Sequence, residues 1–426
     1  MSRFPSWREP LIALGLAAGP VVALGFTRFA YALLLPAMRG DLHWTYAQAG
    51  GLNTANAAGY VIGAGTAVFW ARRFGDRAAF LGTLLVSALT LLLTAATADY
   101  PVLGLLRFVG GLTTAVTFVL GSALAARVAT GGGQRRASSL VALYMAGVGI
   151  GVVLSGLLVP AALAVAGDAG WRVGWLLLGV VAVLAVGPAL LAVRRVPAVT
   201  GVTRAGLPRA DLARLAPTFA WYVLFGAGYV SYLTFVIALL RDEGLRTPGV
   251  AAFFVTLGVA SAVATLTVWG RLVGRLPGGR APALVSVLVL LGVLPVLLLP
   301  ARLPAALLSA VVFGSAFMAG PTAATVLARR ALPANGWTAG IALLTVAFSV
   351  GQAIGPLLSG VLSDSGGIAT GLWLSVGLLA AAALVALRQG ETAPAEAPEP
   401  RGSAGVGDTG GAKAGPVRAR RDADVA

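Results

Sequence analysis

The sequence predicts an all-α integral membrane protein with twelve transmembrane helices in two six-helix bundles related as a parallel repeat. Three observations predict it. Hydrophobic residues make up 58% of the chain and charged residues 11%, against about 25% charged in soluble domains, and mean hydropathy is +0.89. A ten-residue pattern occurs twice, 204 positions apart: Gly147, Gly151, Val152, Ser155 and Gly156 align with Gly351, Gly355, Pro356, Ser359 and Gly360. Finally, basic residues alternate in density from one joint between apolar runs to the next.

A bilayer core of about 30 Å takes about 20 helical residues to cross. Breaking the apolar runs at charged or Pro/Gly-rich joints gives starts near Leu11, Tyr46, Ala79, Pro101, Ser138 and Trp171, then Pro217, Gly249, Pro282, Pro304, Gly336 and Ile368. After a short segment 1–10, the first run outlasts a signal-peptide core and lacks a convincing cleavage site, so it reads as a retained helix. The second run ends in the basic loop Arg72, Arg73, Gly75, Asp76, Arg77; the eighth ends likewise in Arg271, Gly274, Arg275. Trp70, Arg72 and Gly75 echo Trp269, Arg271 and Gly274. Gly131–Gly133 reads as a flexible connection between the fourth and fifth runs. The organisation expected is a bundle over 11–193, a basic polar linker over 194–214, a second bundle over 215–388, and a tail over 389–426. That tail is too poor in apolar residues to fold and is expected to be disordered.

Charge tests the helix count independently. With the N-terminus cytosolic, the cytosolic segments before the tail hold 18 basic residues and the outer loops 5, as the positive-inside rule requires. Both termini are therefore expected in the cytosol, and the basic excess is topogenic. The pI of 11.4 gives no reason to expect nucleic acid as a partner, since no aromatic-studded basic module accompanies it.

These features resemble the major facilitator superfamily over about residues 11 to 388. Ala71-Arg72-Arg73-Phe74-Gly75-Asp76-Arg77 resembles the family's gating loop, with Arg72 at the usual acidic position and Asp76 four residues later. Arg107-Phe108-Val109-Gly110-Gly111 resembles its R-x-x-x-G signature. Gly351 to Pro356 resembles the G-x-x-x-G-P signature of exporters, placed in the eleventh helix instead of the fifth, where Val152 replaces the proline. Gly25 to Tyr31 and Gly51 to Tyr60 resemble the YbfB/YjiJ-type bacterial permeases. The resemblance implies a permease of the bacterial inner membrane that alternates access to a small molecule and works as a monomer. It also implies that the first and fourth helices line a central cavity.

An ionised side chain at the bilayer centre costs at least about 2.5 to 3.5 kcal/mol, so it is expected to face a cavity. Arg28 and Arg107 are the two such charges in the predicted spans, with no Asp or Glu to neutralise them. Guanidinium groups without acidic partners favour a carboxylate substrate, which they grip bidentately. Asn53, Asn56 and Tyr60 share a stripe of the second helix. Tyr222, Tyr229 and Tyr232 do so on the seventh, with Tyr31 near Arg28 and Gln352 in the eleventh. All are substrate-binding candidates through hydrogen bonds. The glycine stripes, Gly147 with Gly151 and Gly351 with Gly355, are expected to pack the two halves closely while leaving them free to rock. The basic loops are expected to clasp helix ends in one state and release them in another. His43 reads as a solvated residue.

Enzyme chemistry finds no footing. Paired carboxylates, a nucleophile with its base and a phosphate-cradling loop are absent; the chain has no cysteine, one histidine and one lysine, Lys413. No metal or cofactor is expected. The sequence therefore predicts a secondary carrier of a small anionic solute. An efflux pump for amphiphilic compounds is the alternative, and a non-transporting receptor a remote third.

Overall fold

A computed structural model describes residues 8–128, 133–196, 213–299, 302–332 and 337–390. Segment 1–7, most of the linker (197–212), positions 129–132 within the glycine connection, and the tail from 391 lie outside them. The described residues form twelve long helices: α1 (Arg8–Asp41), α2 (Tyr46–Phe74), α3 (Asp76–Ala96), α4 (Tyr100–Arg127), α5 (Gly133–Ala166) and α6 (Gly170–Val193) in the first half. The second half has α7 (Ala216–Asp242), α8 (Thr247–Arg275), α9 (Arg280–Leu298), α10 (Leu303–Ala331), α11 (Trp337–Gly366) and α12 (Ile368–Leu387). Eleven are long and apolar enough to cross a membrane by composition alone; α2 is not among them. At 29 residues α2 has the length, but Gln48, Asn53, Thr54 and Asn56 lower its hydropathy. Its neighbours α4 and α11 cover Asn53 and Asn56, which are buried, while Gln48 stays exposed in the first turn.

Helix ends follow local chemistry. Thr45 caps α2, accepting from the Gln48 backbone N–H while the Gln48 side chain takes the Thr45 N–H, a reciprocal capping box. Asp99 caps α4 ahead of Pro101. Gly75, with φ +80°, turns α2 into α3, a conformation that costs residues with a Cβ. His43 is exposed and takes φ +53° at the end of α1. α1 begins three residues before its apolar run, so Glu9 falls in its first turn, where a carboxylate suits the helix dipole.

α1 is not a uniform α-helix. Pro20 has no N–H for the ladder, and from Val21 to Phe29 the backbone runs as a π-helix. Thr27 Oγ1 donates to the Val22 carbonyl and the Ala30 N–H to the Gly25 carbonyl, both five residues back. Such wide turns are rare and concentrate at functional sites; this one contains Arg28.

The glycine stripes correct the sequence expectation. Gly147 and Gly151 lie against α1, where a Cβ would meet Ala17, Val21 and Gly25. Gly351 and Gly355 lie the same way against Val223 and Ala227 of α7. Both stripes therefore join helices within a half. Contact between halves falls to the other face of the same pattern. Gly156 meets Phe254 and Val255 of α8, while Gly360 meets Tyr46 and Ala47 of α2. Val152 packs on Gly258, and the Pro356 carbonyl lies over Gly50. The i and i+4 glycines bind each half together, and the positions five residues further on meet the other half. This pairing of α5 with α8 and of α11 with α2 is the parallel repeat expressed in contacts.

These contacts between halves lie in the part of each helix nearer the face opposite the start of α1 and the end of α12. At that rim the Asp364 carboxylate, near the end of α11, accepts the backbone N–H groups of Tyr46 (2.7 Å) and Ala47 (2.9 Å) at the start of α2. Deeper in, Thr54 Oγ1 donates to the Ala353 carbonyl. Further along α2, a Cβ on Gly65 would meet nothing within 4 Å.

Candidate functional site

Arg28 and Arg107 are both buried, 6% and 4% exposed, and Arg107 bonds to the carbonyl of Thr27, the residue before Arg28. The π segment of α1 carries Arg28. α4 carries Arg107 four residues before Gly111, which lets the Asn56 backbone of α2 come close enough that a Cβ would strike it. Gly59 and Gly63 accept the carbonyls of Phe108 and Leu112 in the same way. A small-residue seam thus fixes α2 on α4 and sets the depth of Arg107.

Each guanidinium is partly satisfied. Arg28 Nη2 donates to Gln352 Oε1 at 2.5 Å, and Gln352 Nε2 donates to the Tyr229 hydroxyl at 2.5 Å. Arg107 Nη1 donates to the Thr27 carbonyl in the π segment, and its Nη2 to Asn53 Oδ1 at 3.3 Å. Asn53 Nδ2 then donates to Thr234 Oγ1 of α7 at 2.5 Å. Arg28 also lies 5.3 Å from the centre of the Tyr60 ring, and Arg107 lies 4.5 Å from that of Tyr31. Hydrogen bonds from a charged donor contribute about 1.5 to 3 kcal/mol each, so these partners offset much of the cost of burying the charge. They do not use every polar atom. The Nε of both arginines and Asn56 Oδ1 are buried without a hydrogen-bond partner, and no described carboxylate pairs with either guanidinium.

The structure brings together Arg28, Tyr31, Asn53, Tyr60, Arg107, Tyr229 and Gln352. Asn56 sits behind them, donating to the Arg107 carbonyl at 3.0 Å and gluing α2 to α4. Tyr222 stands one turn or more away in a run of stacked rings with Trp221 (5.0 Å) and Phe348 (4.3 Å); Phe348 in turn stacks on Tyr229 (5.5 Å). Tyr232 points elsewhere, its hydroxyl bonded to Ser309 of α10 and its ring packed on Phe313. The stripe on α7 is real, but its last tyrosine turns into the half's own interior. Thr234 and Phe29 belong to the site without having stood out in the sequence. A threonine and a phenylalanine in an apolar helix carry no signal until their neighbours are known. With Arg28, Asn53, Phe254 and Leu257 they line a small cavity between halves, with about 20 Å³ open to water, room for roughly one molecule.

The gating-loop residues sit at the face where α1 begins and α12 ends. Asp76, in the first turn of α3, pairs with Arg127 at the end of α4 despite its shifted place in the motif. Arg77 donates to the Val196 carbonyl, and Arg73 lies over the Phe74 ring. In the second half the clasp uses backbone: Arg330, ending α10, donates to the carbonyls of Gly274 (2.6 Å) and Leu276 (2.7 Å). Arg275 is exposed, while the Arg271 side chain lies outside the described residues. The Asp76–Arg127 and Arg330 clasps stay within their own halves, while Arg77 holds the start of the linker.

Known proteins match along nearly the whole chain. The sequence profile of the family described as "Uncharacterised MFS-type transporter YbfB" matches residues 20–387. The chain is similar to a chloramphenicol resistance protein of Streptomyces lividans, 32% identical over 386 residues, covering 88% of this chain and 95% of that protein. It is also similar to the inner membrane transport protein YdhP of Escherichia coli (strain K12), 26% identical over 84% of this chain and 89% of the other. Among solved structures, the nucleoside transporter NupG aligns with a TM-score of 0.68 at 14% identity, over 89% of this chain and 97% of its own. The D-xylose-proton symporter aligns at 0.69 and 15% identity, over 90% and 97%. Those two likenesses are to the fold. Twelve helices in two repeated bundles, a polar site where the halves meet, and a family profile spanning all but the ends carry one conclusion: this multi-pass membrane protein belongs to the YbfB-type family of major facilitator superfamily transporters.

Proposed function

We propose that this transporter carries a small anionic solute, with a carboxylate as the group recognised, across the bacterial inner membrane by alternating access. One observation carries the reading: two buried guanidinium groups belong to one polar cluster, Arg107 being bonded to the carbonyl of the residue before Arg28, with unpartnered Nε donors and no described carboxylate to neutralise them. A carboxylate accepts from a guanidinium bidentately and is the natural complement of that arrangement. With no acid among the described residues of the site, a proton that moves with the solute travels on the solute itself. The distribution of basic residues supports cytosolic termini. In that orientation the joined face is the outer one, so the structure is closed to the outside. The carrier is proposed to act as a monomer: the side chains named at the site all come from one chain.

Efflux of amphiphilic compounds is the second reading. It is favoured by the chloramphenicol-resistance relative and by the stacked wall of Tyr222, Phe348 and Tyr229 beside the arginines. A ligand that binds only the folded carrier stabilises it by about 2.7 kcal/mol at a hundred times its dissociation constant. Thermal shift of purified protein with small carboxylates, neutral metabolites and lipophilic cations therefore separates the readings. Carboxylates should raise the melting temperature of the wild type, and the effect should vanish in folded Arg28→Gln and Arg107→Gln variants. Lysine at either position should restore only part of it, lacking the planar fork. Stabilisation by lipophilic cations with none by carboxylates would reject the anion reading in favour of efflux.

A further inference from the structure

Among the described residues, two side-chain-to-side-chain hydrogen bonds cross between the halves at the depth of the site: Arg28 to Gln352, and Asn53 to Thr234. Both lead to a guanidinium. Gln352 holds Arg28 directly, and Asn53 holds Arg107 through its Oδ1. Each arginine is thus engaged by a neutral amide oxygen, on the edge of the guanidinium that a carboxylate oxygen takes. The remaining acceptor of Arg107 in this group is the Thr27 carbonyl of its own half.

We infer that Gln352 and Asn53 are built-in stand-ins for the transported anion, and that displacing them unties the halves. A bond from an arginine to an amide already has one ionised partner; a carboxylate adds the opposite full charge and a second, parallel hydrogen bond from the guanidinium fork. A carboxylate entering the site therefore wins Arg28 from Gln352 and Arg107 from Asn53. Losing the first contact cuts one tie between halves outright. Losing the second frees Asn53, which the 3.3 Å bond from Arg107 holds on Thr234. Tyr229 retains Gln352 on the second half by its hydroxyl, so the displaced amide leaves with that half. Binding and unlocking become one event. The rim contacts of Asp364 and the bond from Thr54 touch neither arginine, so they hold the halves in register until the central ties are gone. The anion as trigger rests on the function proposed above; the latch itself is testable without any ligand.

The chain has no cysteine, so nitroxide labels at His43→Cys and Arg246→Cys report the separation of the α1–α2 and α7–α8 turns on the joined face. Pulsed electron spin resonance on the full-length carrier in lipid nanodiscs, without ligand, should give a predominantly short distance. Gln352→Ala should raise the long-distance fraction relative to the short one by tenfold or more, and Thr234→Val should raise it less. Gln352→Glu, which pairs Arg28 with a fixed carboxylate, should lower that fraction below wild type. Opposite signs at one position distinguish a latch from a packing residue. Added benzoate should shift wild type toward the long distance and Gln352→Glu not at all. Unchanged distances in folded Gln352→Ala and Thr234→Val, or the same direction in Gln352→Ala and Gln352→Glu, would overturn the latch whatever the substrate. Opposite signs without ligand, together with no stabilisation by any carboxylate, would keep the latch and defeat the anion reading.

Discussion

The two faces of the repeated glycine pattern should answer the same mutation differently. At Gly156 an added Cβ lies 3.2 Å from Val255 Cγ2 and N and 3.3 Å from Phe254 Cβ, across the joint between halves. Ordinary contact requires a few tenths of an ångström more, and a small tilt of one half supplies it. Overpacking costs about 1 to 3 kcal/mol in a rigid core; a joint that opens should set Gly156→Ala near the lower end, about 1 kcal/mol. That cost falls on the closed arrangement alone, so the ratio of open to closed rises about fivefold, given a factor of ten per 1.4 kcal/mol. At Gly351 the added Cβ runs into the Val223 carbonyl, with backbone on both sides and both helices in one half. No rocking of the halves relieves it. Gly351→Ala should lower stability by about 3 kcal/mol and leave the open fraction unchanged. The assay uses Ala32→Cys, a residue lining the central cavity, labelled by a membrane-impermeant maleimide from the joined face. Its rate follows the open fraction, and melting temperature follows stability. Equal losses of melting temperature in both variants, with no change in labelling, would refute the division of the pattern into a fixed and a moving face.

Orientation is open to the same chemistry. Ser138→Cys and Ala334→Cys should react only from the cytosolic side, and Thr45→Cys and Ala301→Cys only from outside; reversed labelling would invert every outer and inner assignment. At the outer rim, Asp364→Asn keeps an acceptor but loses the charge facing the start of α2. A charge at a helix N-terminus contributes about 0.3 to 1 kcal/mol, so Ala32→Cys labelling from outside should rise about two- to fivefold. No rise would reduce Asp364 to a surface residue.

Where the helices run, how many there are and which two arginines are buried within them could be read from the order of residues alone, because those are local properties. An apolar run of about 20 residues has few structures open to it in a bilayer, and an arginine inside one needs a reason that any position in the fold must satisfy. Asn53, Asn56 and Tyr60 could be placed on one stripe for the same reason: helical geometry fixes which residues share a face. Which neighbour that face meets is not local, and there the tertiary structure decided. It gave Gly147, Gly151, Gly351 and Gly355 to partners within each half, and Gly156 and Gly360 to partners across the joint. It turned Tyr232 away to Ser309 and set Tyr229 on Gln352. Thr234 and Asp364 gained their roles from residues 181 and about 318 positions away. A threonine in an apolar helix and an aspartate near a helix end are ordinary until the fold sets a guanidinium's partner beside one and two free N–H groups beside the other. Periodicity determines the direction a side chain takes from its own axis; only the packing of twelve such axes determines what it meets.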